Sequence, residues 1–268
     1  TCRVMVLSGG DQLHPPSTAE ARSLAAVGAD TQTRLACQIK PTEQIEVYRV
    51  YQPDGKRKFR GHAREGEEKE LALLFLDMRG FTARTTGQLP YDVVFLLNRF
   101  FDSIVPPITK HGGTVDKYLG DGLLALFETA DATSSAKAAL AAIEDISQAL
   151  ATFNATLKTE GQPPVAIGIG AHLGDVVLGE IGAAGNAPRT LIGDTVNTAS
   201  RIEGVTKEHS VQALISAPVL AQAKIDMPES AMIPLTLRGL STPLPAWPVK
   251  DASTLSAQIK ALSQPVPA

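Results

Sequence analysis

Leu74-Phe75-Leu76-Asp77-Met78-Arg79-Gly80-Phe81-Thr82, read with the later Tyr118-Leu119-Gly120-Asp121-Gly122-Leu123, decides how this chain folds. The apolar run Leu71 to Leu76 is a buried strand that stops at a carboxylate and opens into a glycine loop ahead of a helix. Backbone amides of such a loop can point at a phosphate while Asp77 holds the cation that neutralises it. In the second stretch, Asp121-Gly122 lies between the strands Thr114 to Leu119 and Leu123 to Phe127, a hairpin signal. A hairpin tip beside the end of the first strand would bring both carboxylates to one cleft. Paired carboxylates there suit two divalent ions, which in-line phosphoryl transfer often uses. Each aspartate also has a plainer reading: Asp77 as a strand-end cap, and Asp121 as a turn residue, because Asp tolerates left-handed φ.

Outward from these stretches the pattern is regular. Pro90 to Lys110 carries apolar residues at 93, 94, 97, 100, 101, 104 and 105, the spacing of an amphipathic helix, with Pro106-Pro107 and Gly112-Gly113 marking its end. An alanine-rich helix is predicted from about Ser134 to Leu157. A second hairpin is predicted from Val165 to His172 and Val176 to Ile181, turned near Gly174-Asp175. A helix over Thr195 to Gly204 and a strand over Val211 to Ile215 follow. This order predicts an α+β fold, an antiparallel or mixed sheet with helices on one side, and not a doubly wound one. Residues 251–268 read as a tail with a weak helix at Ser253 to Leu262.

Toward the amino terminus, residues 55–70 are nearly all charged or glycine and read as a solvated linker. Residues 1–54 hold a weak strand from Cys2 to Leu7, a short helix opened by the capping box Ser17-Thr18-Ala19-Glu20 and reaching about Val27, and a strand from Ile45 to Tyr51. The chain opens at Thr1-Cys2 with no initiator methionine and no signal-peptide pattern, so it reads as a segment of something longer.

The 268 residues are 44% hydrophobic and 20% charged with a formal charge of −3, which describes an ordinary soluble protein without a general pull toward nucleic acid or anionic lipid. No apolar run approaches the roughly 20 residues of a membrane helix. Two cysteines are too few for a disulfide scaffold and point to a reducing, cytoplasmic setting. Five scattered histidines lack zinc-ligand spacing. A Gly-x4-Gly-Lys-Ser/Thr loop is absent, and Gly168 to Gly174 lacks the third glycine position of a dinucleotide fingerprint.

Four stretches in order resemble the class III nucleotidyl cyclase catalytic domain: Leu74 to Thr82, His111 to Gly122, Ile167 to Val177 and Ile192 to Arg201. The resemblance places the catalytic domain at residues 71–250. The resemblance implies a βαββαβ core run as a homodimer, with ATP converted to cyclic AMP and pyrophosphate. It implies that Asp77 and Asp121 hold two Mg²⁺ or Mn²⁺ ions and that the backbone of Met78, Arg79, Gly80 and Phe81 touches the β- and γ-phosphates. Lys117 and Thr190 fall where the family reads the purine. Lysine donates only and threonine can accept from an exocyclic amine, a pair that suits adenine, where guanine would want an acceptor at 117. Asn197 and Arg201, spaced i, i+4 on one helix face, correspond to the residues that orient the ribose and stabilise the α-phosphate. The chain departs from the family at Leu240, where a phosphate-binding lysine often stands, and Arg238 is the substitute candidate. That departure motivates a second reading, a catalytically weak or dead nucleotide-binding regulatory module.

Cys2 and Cys37 resemble the last two cysteine positions of a [2Fe-2S] ferredoxin, so residues 1–54 read as part of a β-grasp ferredoxin-like domain. Such a cluster needs four thiolates, two of them upstream of Thr1.

Overall fold

The computed structural model describes residues 3–26, 28–49, 66–180 and 189–262. The chain divides into two units, residues 1–61 and 62–268. Cys2 and residues 55–65 of the expected linker lie outside the described residues.

In the first unit, β1 (Arg3–Ser8), α1 (Thr18–Ala25), β2 (Thr33–Leu35) and β3 (Glu46–Arg49) form an antiparallel sheet of order β2-β1-β3 with one helix. Ser17 caps α1, its hydroxyl accepting from the Glu20 amide at 3.2 Å. Glu20 is buried and accepts from both Nε and Nη2 of Arg34, at 2.8 and 3.0 Å, and from the Leu35 amide at 2.9 Å. Those bonds, Arg34 first, hold its carboxyl below the usual range against the cost of burial. Cys37 follows β2 and is exposed.

The second unit runs β4 (Glu67–Met78), α2 (Phe81–Thr85), α3 (Pro90–Lys110), β5 (Thr114–Leu119), β6 (Gly122–Phe127), α4 (Ala132–Thr159), β7 (Ile167–Glu180), β8 (Arg189–Ile192), α5 (Asp194–Val205), β9 (Ala213–Ser216), α6 (Ala217–Gln222), β10 (Ile233–Leu235), β11 (Leu244–Val249) and α7 (Leu255–Leu262). Its eight-stranded sheet has the order β10-β11-β9-β7-β4-β6-β5, with β8 paired to β7. The sheet is mixed: β7 and β9 run parallel, whereas β4 is antiparallel to both of its neighbours.

Side chains of β4 alternate between two cores. Ala72, Leu74, Leu76 and Met78 pack with Phe100, Ile104 and Ile108 of α3 and Ile143 and Ile146 of α4. Leu71 and Leu73 face the other way, with Leu124, Leu126, Val176, Leu178 and Ala199 of α5. Burial on both faces is why the strand reads as an unbroken apolar run. It also corrects the expectation of helices on one side: α3, α4, α6 and α7 pack against one face, and α5 covers the other.

Two further expectations are corrected. Residues 67–70 are not linker, because the pairing of β4 with β7 begins at Glu67 opposite Leu178. Lys69 there reaches Glu67 at 3.0 Å and Glu128 at 2.5 Å, so a charged sequence is held as strand by backbone pairing and local ion pairs. The predicted hairpin at Gly174-Asp175 is one 14-residue strand, β7, in continuous register with β4 from Leu178 back to Ile167. Its glycines make room for a helix and do not turn the chain. A Cβ at Gly170 would lie 2.3 Å from the Glu203 amide nitrogen, and one at Gly174 would lie 2.9 Å from Thr195 Oγ1. Spacing by twos keeps Gly168, Gly170 and Gly174 on the α5 face of the sheet.

Candidate active site at the strand ends

Asp77 is the penultimate residue of β4 and shares the α5-facing side of the sheet with Leu71 and Leu73. Its neighbour on β7 is Gly168, and Leu76 pairs with Leu123, which sets Gly122 beside Asp77 on β6. Both flanking positions are therefore glycine. A Cβ at Gly122 would lie 2.7 Å from Asp77 Oδ1, and one at Gly168 would lie 2.5 Å from Glu203 Oε1. Any other residue at either position would displace a carboxylate.

Asp121 sits in the two-residue turn joining β5 and β6, so the hairpin tip does stand beside the end of β4. The left-handed residue of that turn is Gly120, at φ +71°, and not Asp121. The turn thus has no conformational need for aspartate. Burial pushes the Asp77 carboxyl above its usual range, and the charge of Asp121 pushes it further, against a bond from the Met78 amide. Burial raises Asp121 as well.

A third carboxylate joins this field. Glu203 of α5 is pushed up to about 7 by burial and by the charges of Asp77 and Asp121, with Arg79 opposing. Sequence reasoning passed over it, although an acid on the helix face that carries Ala199, Ile202 and Thr206 was the available signal. Partly desolvated like charges favour a bound cation, and carboxylate oxygens are hard donors that suit Mg²⁺ or Mn²⁺. Among the described residues, no three of His, Cys, Asp or Glu stand close enough to form a complete cage. A cation held by Asp77 and Asp121 would therefore complete its shell with phosphate or water, as Mg²⁺ commonly does.

The loop after Asp77 is anchored through Arg79. Its amide donates to Ala166 O at 2.8 Å and its guanidinium to Ile167 O at 3.1 Å and to Val211 O. Met78 is buried in the core, and Gly80, at φ +68°, turns the chain into α2 at Phe81. The Arg79 amide is thus committed to the fold.

On α5, Asn197 is exposed and Arg201 half-buried. The Arg201 guanidinium lies against the 237–240 turn, where a Cβ at Gly239 would be 3.0 Å from Nη1. The Leu240 amide closes that turn on Leu237 O at 3.2 Å, leaving Arg238 and Leu240 exposed. Lys117 is exposed on β5 with Nζ 3.1 Å from Asp116 Oδ2. Thr190 is half-buried on β8 opposite Gly179, and β6, β4 and β7 separate it from β5. The structure accordingly brings Asp77 and Asp121 together and sets Arg201 beside the turn of Arg238. Clefts of about 700 and 680 Å³ are lined in part by Arg79, and neither aspartate lines them; both carboxylates are half-buried.

Residues 64–234 match the family model described as the adenylate and guanylate cyclase catalytic domain. The chain belongs to that family. It is 36% identical over 167 residues to an adenylate cyclase of Anabaena cylindrica, covering 60% of this chain and 32% of that protein. Against adenylate cyclase 1 of Rhizobium meliloti it is 33% identical over 171 residues, 61% of this chain and 25% of that one. The chain thus matches about a third or less of these relatives' length. A crystal structure of a guanylyl cyclase superposes with a TM-score of 0.62 at 31% identity, covering 69% of this chain and 93% of that one. The cyclase fold is common to both kinds of relative. Among the described residues no helix is long and apolar enough to cross a membrane.

Proposed function

We propose that this cyclase-family chain is an adenylate cyclase, acting as a head-to-tail homodimer on ATP in the cytoplasm. The observation that carries the reading is the convergence of Asp77 and Asp121 on neighbouring strand ends, close enough for the charge of one to raise the other. In the reaction the ribose 3′-oxygen attacks the α-phosphorus, the bond to the β-phosphate oxygen breaks, and pyrophosphate leaves as the 3′-hydroxyl proton passes to solvent. Two Mg²⁺ or Mn²⁺ ions held by Asp77 and Asp121 would supply Lewis acidity at the 3′-oxygen and charge neutralisation at the leaving group. Arg201 supplies fixed positive charge to the α-phosphate, Asn197 orients the ribose, and Lys117 and Thr190 read N1 and N6 of adenine. Gly80 and Phe81 line the triphosphate, and Arg238 takes the position left by Leu240.

Sheet topology supports the dimer. Arg201 is held at the turn between β10 and β11, and β11 stands three strand spacings, about 14 Å, from β4. With its guanidinium against that turn, Arg201 is free to serve a phosphate at the carboxylates of a second chain, which is the arrangement proposed. Exposed Tyr118, Leu119, Ile192 and Leu240 flank the site residues and supply apolar surface for that contact.

The test is product formation from Mn-ATP and Mn-GTP by the purified protein. Cyclic AMP in excess, with Lys117→Glu eroding the ATP preference, supports the reading. ATP binding without cyclic AMP would favour the regulatory-module reading that exposed Leu240 motivates.

For residues 1–54 we propose the carboxyl-terminal part of a ferredoxin-type domain, on the strength of Cys2 and Cys37. The two cysteines of this sequence do not make up four cluster thiolates. An intact cluster would need upstream residues, and its visible absorbance in a longer chain, lost on dithionite, is the check.

A further inference from the structure

The ladder between β5 and β6 slips by one residue at Asp116: Val115 pairs with Ala125, and the next partner, Leu124, faces Lys117. Asp116 is the extra residue of a β-bulge, a device that re-aims side chains. Successive residues of a regular strand point to opposite faces, so a contact between neighbours is not normally available. Here the bulge makes one, with Lys117 Nζ 3.1 Å from Asp116 Oδ2. The two side chains differ sharply in exposure, 43% for Lys117 and 10% for Asp116. Asp116 Oδ2 is also buried without a hydrogen-bond partner, which leaves the 3.1 Å ion pair to Lys117 to offset its burial. A buried acceptor short of its donor is costly and calls for an explanation.

From these three observations we infer that Asp116 is a positioning residue for base recognition, holding the Lys117 ammonium in the orientation that reads the purine. The inference rests on the proposed reading of Lys117. An ammonium has three donors, so one can close on Asp116 Oδ2 while another points at the ring nitrogen of the base. Tyr118, next along the strand, fixes the segment from its other side through an edge-on contact with Phe101, ring centroids 4.7 Å apart. The base is then met by a lysine whose rotamers are already restricted, and less entropy is lost on binding.

Asp116→Asn gives a test with a distinctive sign. Removing a negative charge beside a site for an anionic nucleotide should by itself tighten binding. Loss of positioning loosens it. The expected result is a rise of about 10-fold in KM for ATP, with kcat within about 2-fold and no fall in the melting temperature. Because KM does not depend on the folded fraction, partial unfolding cannot imitate it, and the dissociation constant of ATP serves if turnover is absent. Asp116→Glu should recover part of the loss, and Asp116→Asn added to Lys117→Ala should raise KM no further, since only the loss of a charge is then left to act. An unchanged or lowered KM in Asp116→Asn, or a further rise in KM when it is added to Lys117→Ala, would overturn the inference. If Lys117→Ala alone leaves KM unaffected, the purine reading of Lys117 fails instead.

Discussion

Gly120-Asp121 and Gly174-Asp175 are one dipeptide in two settings. The first closes a two-residue turn, with Gly120 at φ +71° and open space where its Cβ would stand. The second lies inside β7, outside the left-handed region, and its glycine faces α5 with 2.9 Å between a would-be Cβ and Thr195 Oγ1. Glycine at 120 is needed for backbone conformation, whereas glycine at 174 is needed for space. Their aspartates differ correspondingly: Asp121 is partly buried beside Asp77, and Asp175 is exposed. The same two letters thus mark a hairpin turn beside Asp77 and a helix-packing groove.

The largest expected effect separates the two aspartates. Asp77→Ala and Asp121→Ala should each lower cyclic AMP formation at least about 100-fold, on the order of 3 kcal/mol of barrier, while Asp175→Ala stays within about 2-fold. Mixing inactive Asp77→Ala with inactive Arg201→Ala should restore activity, because a heterodimer holds one intact site. No recovery on mixing would remove the two-chain arrangement.

Stability should separate the glycines. Gly170→Ala, whose Cβ would lie 2.3 Å from backbone, is expected to cost about 3 kcal/mol and Gly174→Ala about 2, as overpacking against α5. Gly120→Ala should cost only about 1 to 2 for its left-handed backbone, and Gly120→Asn less. Urea unfolding ranks them, and a Gly120 variant worse than Gly170→Ala would reverse the argument.

A pH-dependent effect, confined to acid conditions, comes from His172 on β7. His172 lies on that strand under α5, sharing a 2.8 Å hydrogen bond between Nδ1 and Ser216 Oγ. Burial lowers its imidazole from 6.5 to about 4. With the folded value depressed, its contribution is complete above pH 6.5 and is lost as pH falls through about 4, up to about 3 kcal/mol. His172→Gln should flatten the stability profile over that window and nowhere else. An identical profile in the variant would assign acid unfolding to other groups.

Much of this molecule was legible because its signals are local. The doubly buried β4, the 3.6-residue stripe of α3 and the β5–β6 turn each announce themselves through the periodicity of burial. Asp77 and Asp121 were readable as a pair for the same reason, one closing a strand and the other tipping a hairpin. What escaped depended on neighbours distant in sequence. The straightness of β7 follows from 12 residue pairings with β4, and Glu203 gains its character from burial under the packed sheet and then from Asp77 and Asp121, more than 80 residues away.

By itself the sequence determined the element types, the alternation that sorts residues to faces, and the order of motifs that marks a cyclase domain. These depend on propensity and periodicity, which are properties of a few consecutive residues. Only the tertiary structure decided that α5 crosses the opposite face over Gly168 and Gly170, and that Arg201 rests against Gly239. It likewise decided that a bulge turns Asp116 toward Lys117. Each of those is a steric or electrostatic contact between segments, and it exists only once the sheet has brought them within a few ångströms.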